Sequence, residues 1–266
     1  MPELAEVEYF RRQWDAGKNA AITEVLVHPK PKLFRGIDVP ALVRQLTGAR
    51  IVDSFTHGKQ MFFRFRPAAT LGIHLGMTGD LSIASADAPQ GRHDHLVLRQ
   101  KARSLVFSDS RMFGRIRFMA GAEKPEWETG LPPGILTPQF TAAFVDEALR
   151  RRGGTPIKAA LLDQEFFPGI GNWMADEILW QAGIEPHRRC KTLTAPERKR
   201  LHTATRAISK KSLEKIGKKL HDAPAKWLFH VRWRKGGDCP RCGAPLKHAT
   251  IGGRTACWCP RCQPAK

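Results

Sequence analysis

The chain of 266 residues is short of acid, and most of all in its final third. From residue 187 onward there are 21 lysines and arginines against 4 aspartates and glutamates, which leaves 23 against 21 for residues 1–186. A block so poor in acid repels itself unless it meets a polyanion, which argues against a free enzyme of small neutral substrates. Nucleic acid is the leading partner, and a solubilising or ribosomal-type basic tail is the alternative. No apolar run approaches the roughly 20 residues that span a bilayer. The N-terminal segment is charged and amphipathic, without the apolar core of a signal peptide, so a soluble intracellular protein with no membrane association is expected. Glycine and proline are at ordinary levels, and 42% of residues are hydrophobic. That composition excludes a disordered chain and can fill one or two cores, so two or more domains are expected.

Cysteine is also sparse, but four of the six are placed with purpose. Cys239-Pro240-Arg241-Cys242 and Cys259-Pro260-Arg261-Cys262 are the same knuckle twice, separated by residues 243–258. Two such pairs bring four thiolates around one tetrahedral ion, which predicts a structural Zn²⁺. Disulfides are the alternative, yet nothing in the chain points to an oxidising compartment. Cys257 competes with Cys259 as a ligand, but only Cys259 keeps the two-residue spacing to Cys262. Cys190 and Cys257 are spare thiols.

At the other end stands Met1-Pro2-Glu3-Leu4-Ala5-Glu6-Val7-Glu8. Proline after the initiator methionine favours removal of Met1, leaving a secondary amine that titrates near about 8 rather than about 10. Such an amine beside Glu3 and Glu6 is the minimum set for Schiff-base chemistry with proton transfer. The plainer alternative is that Pro2 starts a helix and the acids complement its dipole.

The periodicity changes along the chain. Residues 3–14 have helical spacing. Short alternating runs follow at 23–28, 50–55, 61–65, 95–99, 104–108 and 115–119, punctuated by glycines, which predicts an antiparallel two-layer sandwich. Residues 121–138 are rich in proline and glycine and read as a linker. Helical spacing returns at 139–150, 156–162, 173–182 and 195–216. Between the second and third of these lies Phe167-Pro168-Gly169-Ile170-Gly171-Asn172, a break that makes a helical hairpin whose second N-terminus can seat a phosphate. The fold class is α+β and multidomain. It comprises an N-terminal antiparallel β-sandwich flanked by helices (1–120), a linker (121–137), a helical domain with a helix-two-turn-helix hairpin (138–230) and a four-cysteine zinc ribbon (231–266).

These features together resemble the formamidopyrimidine-DNA glycosylase and endonuclease VIII family of base-excision repair enzymes. The motifs that carry the resemblance are Pro2-Glu3-Leu4-x-Glu6-Val7-Glu8, Leu161-Leu162-Asp163-Gln164 leading to Gly169-Ile170-Gly171-Asn172 and Ala175-Asp176-Glu177, and Cys259-Pro260-Arg261-Cys262-Gln263. The resemblance implies a monomeric enzyme, a glycosylase-type hydrolase and abasic-site lyase acting on damaged double-stranded DNA. Pro2 would attack C1′ of a flipped nucleotide, Glu3 would help open the deoxyribose with Glu6 in support, and β- then δ-elimination would cut the strand. Lys59 matches a lysine serving a flanking phosphate and proton transfer, or is simply a hairpin-end lysine. Arg254 matches a phosphate-gripping arginine, or is a solvated charge. Lys158 and Asn172 would hold the backbone near the lesion. His93 matches a DNA-contacting position, and exposed strand histidines are the alternative. Met77 and Phe113 would fill the gap left by the flipped base and Arg111 would bond the widowed partner, unless Met77 and Phe113 are core residues.

Three segments depart from the family pattern. Residues 208–219 are short and lysine-rich where a longer glycine- and threonine-rich segment caps the flipped purine. Residues 231–239 replace the usual tyrosine-glycine-arginine form, and Ser110 and Met112 stand where proline and arginine are common. The missing cap predicts stronger action on formamidopyrimidines and further-oxidised guanines than on 8-oxoguanine. A catalytically silent sensor of DNA damage or crosslinks on the same fold is the alternative function, and an RNA-binding basic protein is a third.

Overall fold

Alternation in the first half of the chain produces strands, and loss of alternation after residue 131 produces helices. The computed structural model describes every residue except Pro31, Lys235 and Lys266, and divides the chain into two units. One unit comprises Met1–Pro2 and Glu6–Leu131, the other Glu3–Ala5 and Pro132–Lys266.

The first unit holds most of α1 (Leu4–Gln13), β1 (Ile22–Val27), α2 (Val39–Leu46) and strands β2 (Arg50–His57), β3 (Gln60–Arg66), β4 (Ala69–His74), β5 (Gly79–Ala84), β6 (Asp94–Gln100), β7 (Arg103–Asp109) and β8 (Arg115–Ala120). They form two antiparallel four-stranded sheets, ordered β1-β6-β7-β5 and β2-β3-β4-β8. Met61, Phe63 and Phe65 of β3, Leu71 and Ile73 of β4, and Leu105 and Phe107 of β7 fill one shared core with Trp14. Each fully buried side chain of this size contributes roughly 1.5–3 kcal/mol relative to exposure. The expected sandwich is therefore present.

Strands β4 and β5 are not predicted by the sequence, because their glycines read as breaks. Gly72, inside β4, is there for packing: a Cβ at this position would lie 2.6 Å from the ring of Trp127. Trp127 sits on the short helix α3 (Glu126–Thr129), within the segment expected to be linker.

The second unit contains α4 (Ala142–Arg151), capped by the Thr141 hydroxyl, and the one-turn α5 (Ile157–Ala160), shorter than expected. It continues with α6 (Asn172–Ala182) and α7 (Ala195–Lys215), which opens on a Thr194/Glu197 capping box. Gly183, at φ 67°, ends α6 in the left-handed conformation that glycine adopts without strain. Of α6 only Asn172 and Gln181 are not buried, so this helix is the centre of the unit's core. Strands β9 (Lys247–Ile251) and β10 (Arg254–Trp258) pair as the hairpin of the ribbon.

Candidate active site and nucleic-acid interface

The helical hairpin is organised around the N-terminus of α6, where the first N–H groups have no partner within the helix. The Glu3 side chain supplies them: Trp173 N–H donates to Oε1 and Met174 N–H to Oε2, both at 3.0 Å. Leu4 N–H adds a bond to the Gly169 carbonyl at 3.0 Å. Gly171 makes the approach possible, since a Cβ there would fall 2.2 Å from the Glu3 carboxyl carbon. Glu3 is 3% exposed, so its carboxylate is desolvated, and these backbone donors fix both of its oxygens. Gln164 braces the turn, donating to the Leu162 and Ile170 carbonyls and accepting from Gly169 N–H.

Lys158, expected to hold the DNA backbone, lies inside the hairpin. It is wholly buried, and its ammonium donates at 2.6 Å to both the Asn172 carbonyl and the Asp176 carboxylate. Asp176 is bound from its other oxygen by Arg232, with Nε at 3.0 Å and an ion pair at 2.5 Å. A charge this deep is kept by its partners, here Asp176 and the Asn172 carbonyl. Burial pulls the Lys158 pKa down against the opposing pull of Asp176. Lys158 thus positions Asn172, the residue whose side-chain oxygen is buried without a hydrogen-bond partner. The sequence reading missed Asp176 and Arg232 as the other members of this network.

Arg254 follows a Gly252-Gly253 turn with φ of 57° and 74° and is exposed at the start of β10. The turn rests on α5, because a Cβ on Gly252 would meet the Ala159 methyl at 2.7 Å. Beneath the hairpin the four predicted ligands converge. Their sulfurs lie 3.8 Å (Cys239 to Cys262), 3.5 Å (Cys242 to Cys259) and 3.6 Å (Cys242 to Cys262) apart. A tetrahedral zinc with bonds of about 2.3 Å requires sulfur separations of about 3.8 Å, so the cage fits that ion. These four are the metal-holding group among the described residues, and Cys257 is not one of them. Burial pushes the Cys190 thiol up to about 11 and the Cys257 thiol up to about 12, which leaves both protonated and inert.

In the first unit, Pro2 precedes α1 and is half-buried, as is Glu6 on that helix. Lys59 occupies the two-residue turn between β2 and β3, after Gly58 at φ 57°. His93 is exposed at the entry to β6, while His95 is buried and bonded through Nε2 to the Asp109 carbonyl.

Met77 is 37% and Phe113 56% exposed, so neither is a core residue. Arg111 is also exposed, with its guanidinium over the Phe113 ring at 4.8 Å. One buried side chain holds both loops. Asp109 accepts from the Thr78 hydroxyl at 2.7 Å, from Arg111 N–H at 3.2 Å and from Gly114 N–H at 2.7 Å. Gly76, at φ 65°, brings the first loop onto the second: a Cβ there would lie 2.4 Å from the Phe113 carbonyl carbon. Asp109 and Gly76 are near neighbours in sequence of Arg111 and Met77, but periodicity gives no signal for their positioning role. His74 accepts Gly76 N–H on Nδ1, and burial, then the charges of Lys59 and Arg117, lower its pKa.

An antiparallel sandwich with an N-terminal acid-flanked proline, a helical hairpin and a four-cysteine ribbon defines a nucleic-acid enzyme of multidomain build. Comparison with known proteins is specific. The formamidopyrimidine-DNA glycosylase N-terminal domain profile matches residues 1–116, its H2TH domain residues 131–222, and the zinc finger found in FPG and IleRS residues 236–265. The formamidopyrimidine-DNA glycosylase of Thermomicrobium roseum is 37% identical over 293 residues, covering 99% of both chains. That of Roseiflexus sp. is 37% identical over 275 residues, covering 99% of this chain and 100% of its own. Among solved structures, Lactococcus lactis Fpg with DNA containing an oxidized pyrimidine has a TM-score of 0.89 at 28% identity, covering 99% of this chain and 100% of that one. The same enzyme with abasic-site DNA has a TM-score of 0.88 at 27% identity with the same coverage. The chain therefore belongs to the formamidopyrimidine-DNA glycosylase family, the DNA glycosylases of base-excision repair, and carries one structural zinc site.

Proposed function

We propose that this protein excises oxidised bases from duplex DNA through its processed N-terminal proline and then cuts the strand as a lyase. The observation that carries the proposal is the Glu3 carboxylate, which follows Pro2 in the chain and is fixed on Trp173 and Met174 N–H groups at 3.0 Å. An amine nucleophile needs a proton-transferring group held beside it, and a carboxylate locked by two backbone donors is preorganised for that task. Attack of the proline nitrogen on C1′ forms a C–N bond as the base departs with its electron pair and a proton. Ring opening, with proton transfer assigned to Glu3, gives an iminium that acidifies the C2′ protons. Loss of a C2′ proton breaks the 3′ C–O bond, and a second elimination breaks the 5′ C–O bond. Glu6 supports from α1, and Lys59 serves a flanking phosphate and the elimination.

Asn172, His93 and Arg254 are assigned to the DNA backbone. Lys158 contributes by holding Asn172. Met77 and Phe113 fill the vacated stack, and Arg111 bonds the widowed base. The zinc, held by Cys239, Cys242, Cys259 and Cys262, supplies no chemistry; it fixes the hairpin that presents Arg254. Residues 208–215 of the segment 208–219 lie in helix α7, which supports the reading that this segment lacks the flexible cap for a flipped purine.

A panel of single-lesion duplexes tests this function. Cleavage to products of β- and δ-elimination is expected, faster on formamidopyrimidines than on 8-oxoguanine opposite cytosine. Selective binding without cleavage of any lesion would instead make the protein a damage sensor.

A further inference from the structure

The outer face of the β2-β3-β4-β8 sheet carries an aromatic stack flanked by arginines. Phe55 stacks on Phe62 at 4.8 Å and Phe62 on Trp127 at 5.5 Å, with interplanar angles of 5° and 15°. Trp127 fills the space that Gly72 leaves open. On one side of the stack Arg64 is neutralised by Glu128 at 2.5 Å. On the other, Arg117 stands 5.7 Å from the Trp127 ring centre, and neither it nor Arg115 makes an ion pair among the described residues.

Arg115 and Arg117 are alternate residues of edge strand β8, opposite His74 and Gly72, so both side chains leave the same face. Both line a cleft of about 610 Å³ shared with Arg35, Glu126 and Trp127. Both also line a second cleft of about 290 Å³, shared with Gln60, His74 and Phe113. The second cleft thus joins the arginines to Phe113 and to Gln60, the neighbour of Lys59. Burial and the adjacent Arg115 charge make the Arg117 guanidinium harder to keep protonated. Two unpaired like charges held on one face repel each other, and a bound anion relieves that repulsion.

We propose that Arg115 and Arg117 form a phosphate-binding site that takes a backbone phosphate of the DNA strand passing Phe113 and Lys59. The guanidinium fork matches phosphate oxygens in pairs of hydrogen bonds, and the Trp127 ring holds Arg117 in place before the strand arrives. The site extends the interface of the first unit beyond the residues assigned above. It rests on the DNA-repair reading. Without it, charge on an edge strand serves only to prevent sheet-to-sheet pairing.

Binding of a fluorescent duplex containing a tetrahydrofuran abasic analogue, measured by anisotropy across a salt series, tests the site. R115Q/R117Q is expected to weaken binding several-fold and to reduce the log–log salt slope by about 0.9, the share of one lost phosphate contact. K101Q/R103Q, at the far turn between β6 and β7, removes the same charge and is expected to leave the slope unchanged. A neutral methylphosphonate at the contacted position is expected to weaken wild-type binding and to abolish its difference from R115Q/R117Q. Equal slopes for the two double variants, with no methylphosphonate position acting on the wild type alone, would overturn the site while leaving the DNA-repair reading intact. Failure of the wild type to bind the duplex would overturn both.

Discussion

Glu3 Oε1 accepts the backbone N–H of Trp173 at 3.0 Å, a bond between the third residue of the chain and the first turn of the central helix α6. Its companion, from Met174 N–H to Oε2, occupies the second oxygen at the same distance. The helix dipole favours a carboxylate here, and the two donors fix its orientation.

The relationship depends on Gly171 having no side chain. Gly171→Ala places a methyl 2.2 Å from the Glu3 carboxyl carbon and must displace it. We expect a loss of about 1–3 kcal/mol in stability, typical of overpacking a tight site. Single-turnover cleavage of an abasic duplex should fall by more than the change in folded fraction accounts for. Wild-type cleavage rates in Gly171→Ala would show that Glu3 placement is irrelevant.

Asp109 and Phe113 separate loop order from loop contact. Asp109→Ala removes the buried acceptor of three hydrogen bonds, from Thr78, Arg111 and Gly114, and is expected to cost about 1–3 kcal/mol, lowering Tm and lesion-duplex affinity together. Phe113→Ala removes a ring that is 56% exposed. It should leave Tm within a degree or two while base excision drops at least tenfold. Thermal melts beside excision assays check both.

The cysteines divide into ligands and spectators. Cys259→Ser should lose bound zinc by elemental analysis and weaken DNA binding through Arg254, whereas Cys257→Ala should retain one zinc per chain. In the zinc-loaded protein Cys190 and Cys257 should react slowly with Ellman's reagent at neutral pH, because burial pushes their thiols up to about 11 and about 12.

Glu177 sets a pH dependence of stability. Burial raises its carboxyl to about 7, against bonds from the Gln181 amide and the Phe229 and Leu228 N–H groups. Between about 4.5 and about 7 the unfolded chain releases this proton while the native state keeps it. Stability from this group therefore falls as pH rises through that window, by about 3 kcal/mol in all. Glu177→Gln removes the dependence, so its Tm relative to wild type should rise between pH 5 and pH 8. A constant difference would contradict the assignment.

What the sequence makes legible follows from the range of the interactions. The cysteine knuckles are local, and their two-residue spacing alone identifies the cage that the structure assembles. The sandwich is legible from alternation wherever a strand has one wet face. It is hidden in β4, where Gly72 reads as a break because its reason, Trp127, lies far along the chain. The same limit explains Lys158. The family resemblance implies that it holds the DNA backbone, and only the fold brings up Asp176 and Arg232 to bury it. Asp109 and Gly171 carry no periodic signal, since each is defined by the backbone or side chain that comes to meet it.

The central claim is that the amine of processed Pro2 is the nucleophile, and borohydride trapping tests it most directly. Protein lacking Met1, incubated with an abasic-site duplex and borohydride, should give a covalent complex whose peptide map places the sugar remnant on Pro2. Acetylating that amine, or retaining Met1, should abolish the adduct. An adduct on an internal lysine, or an undiminished yield from the blocked protein, would contradict the account.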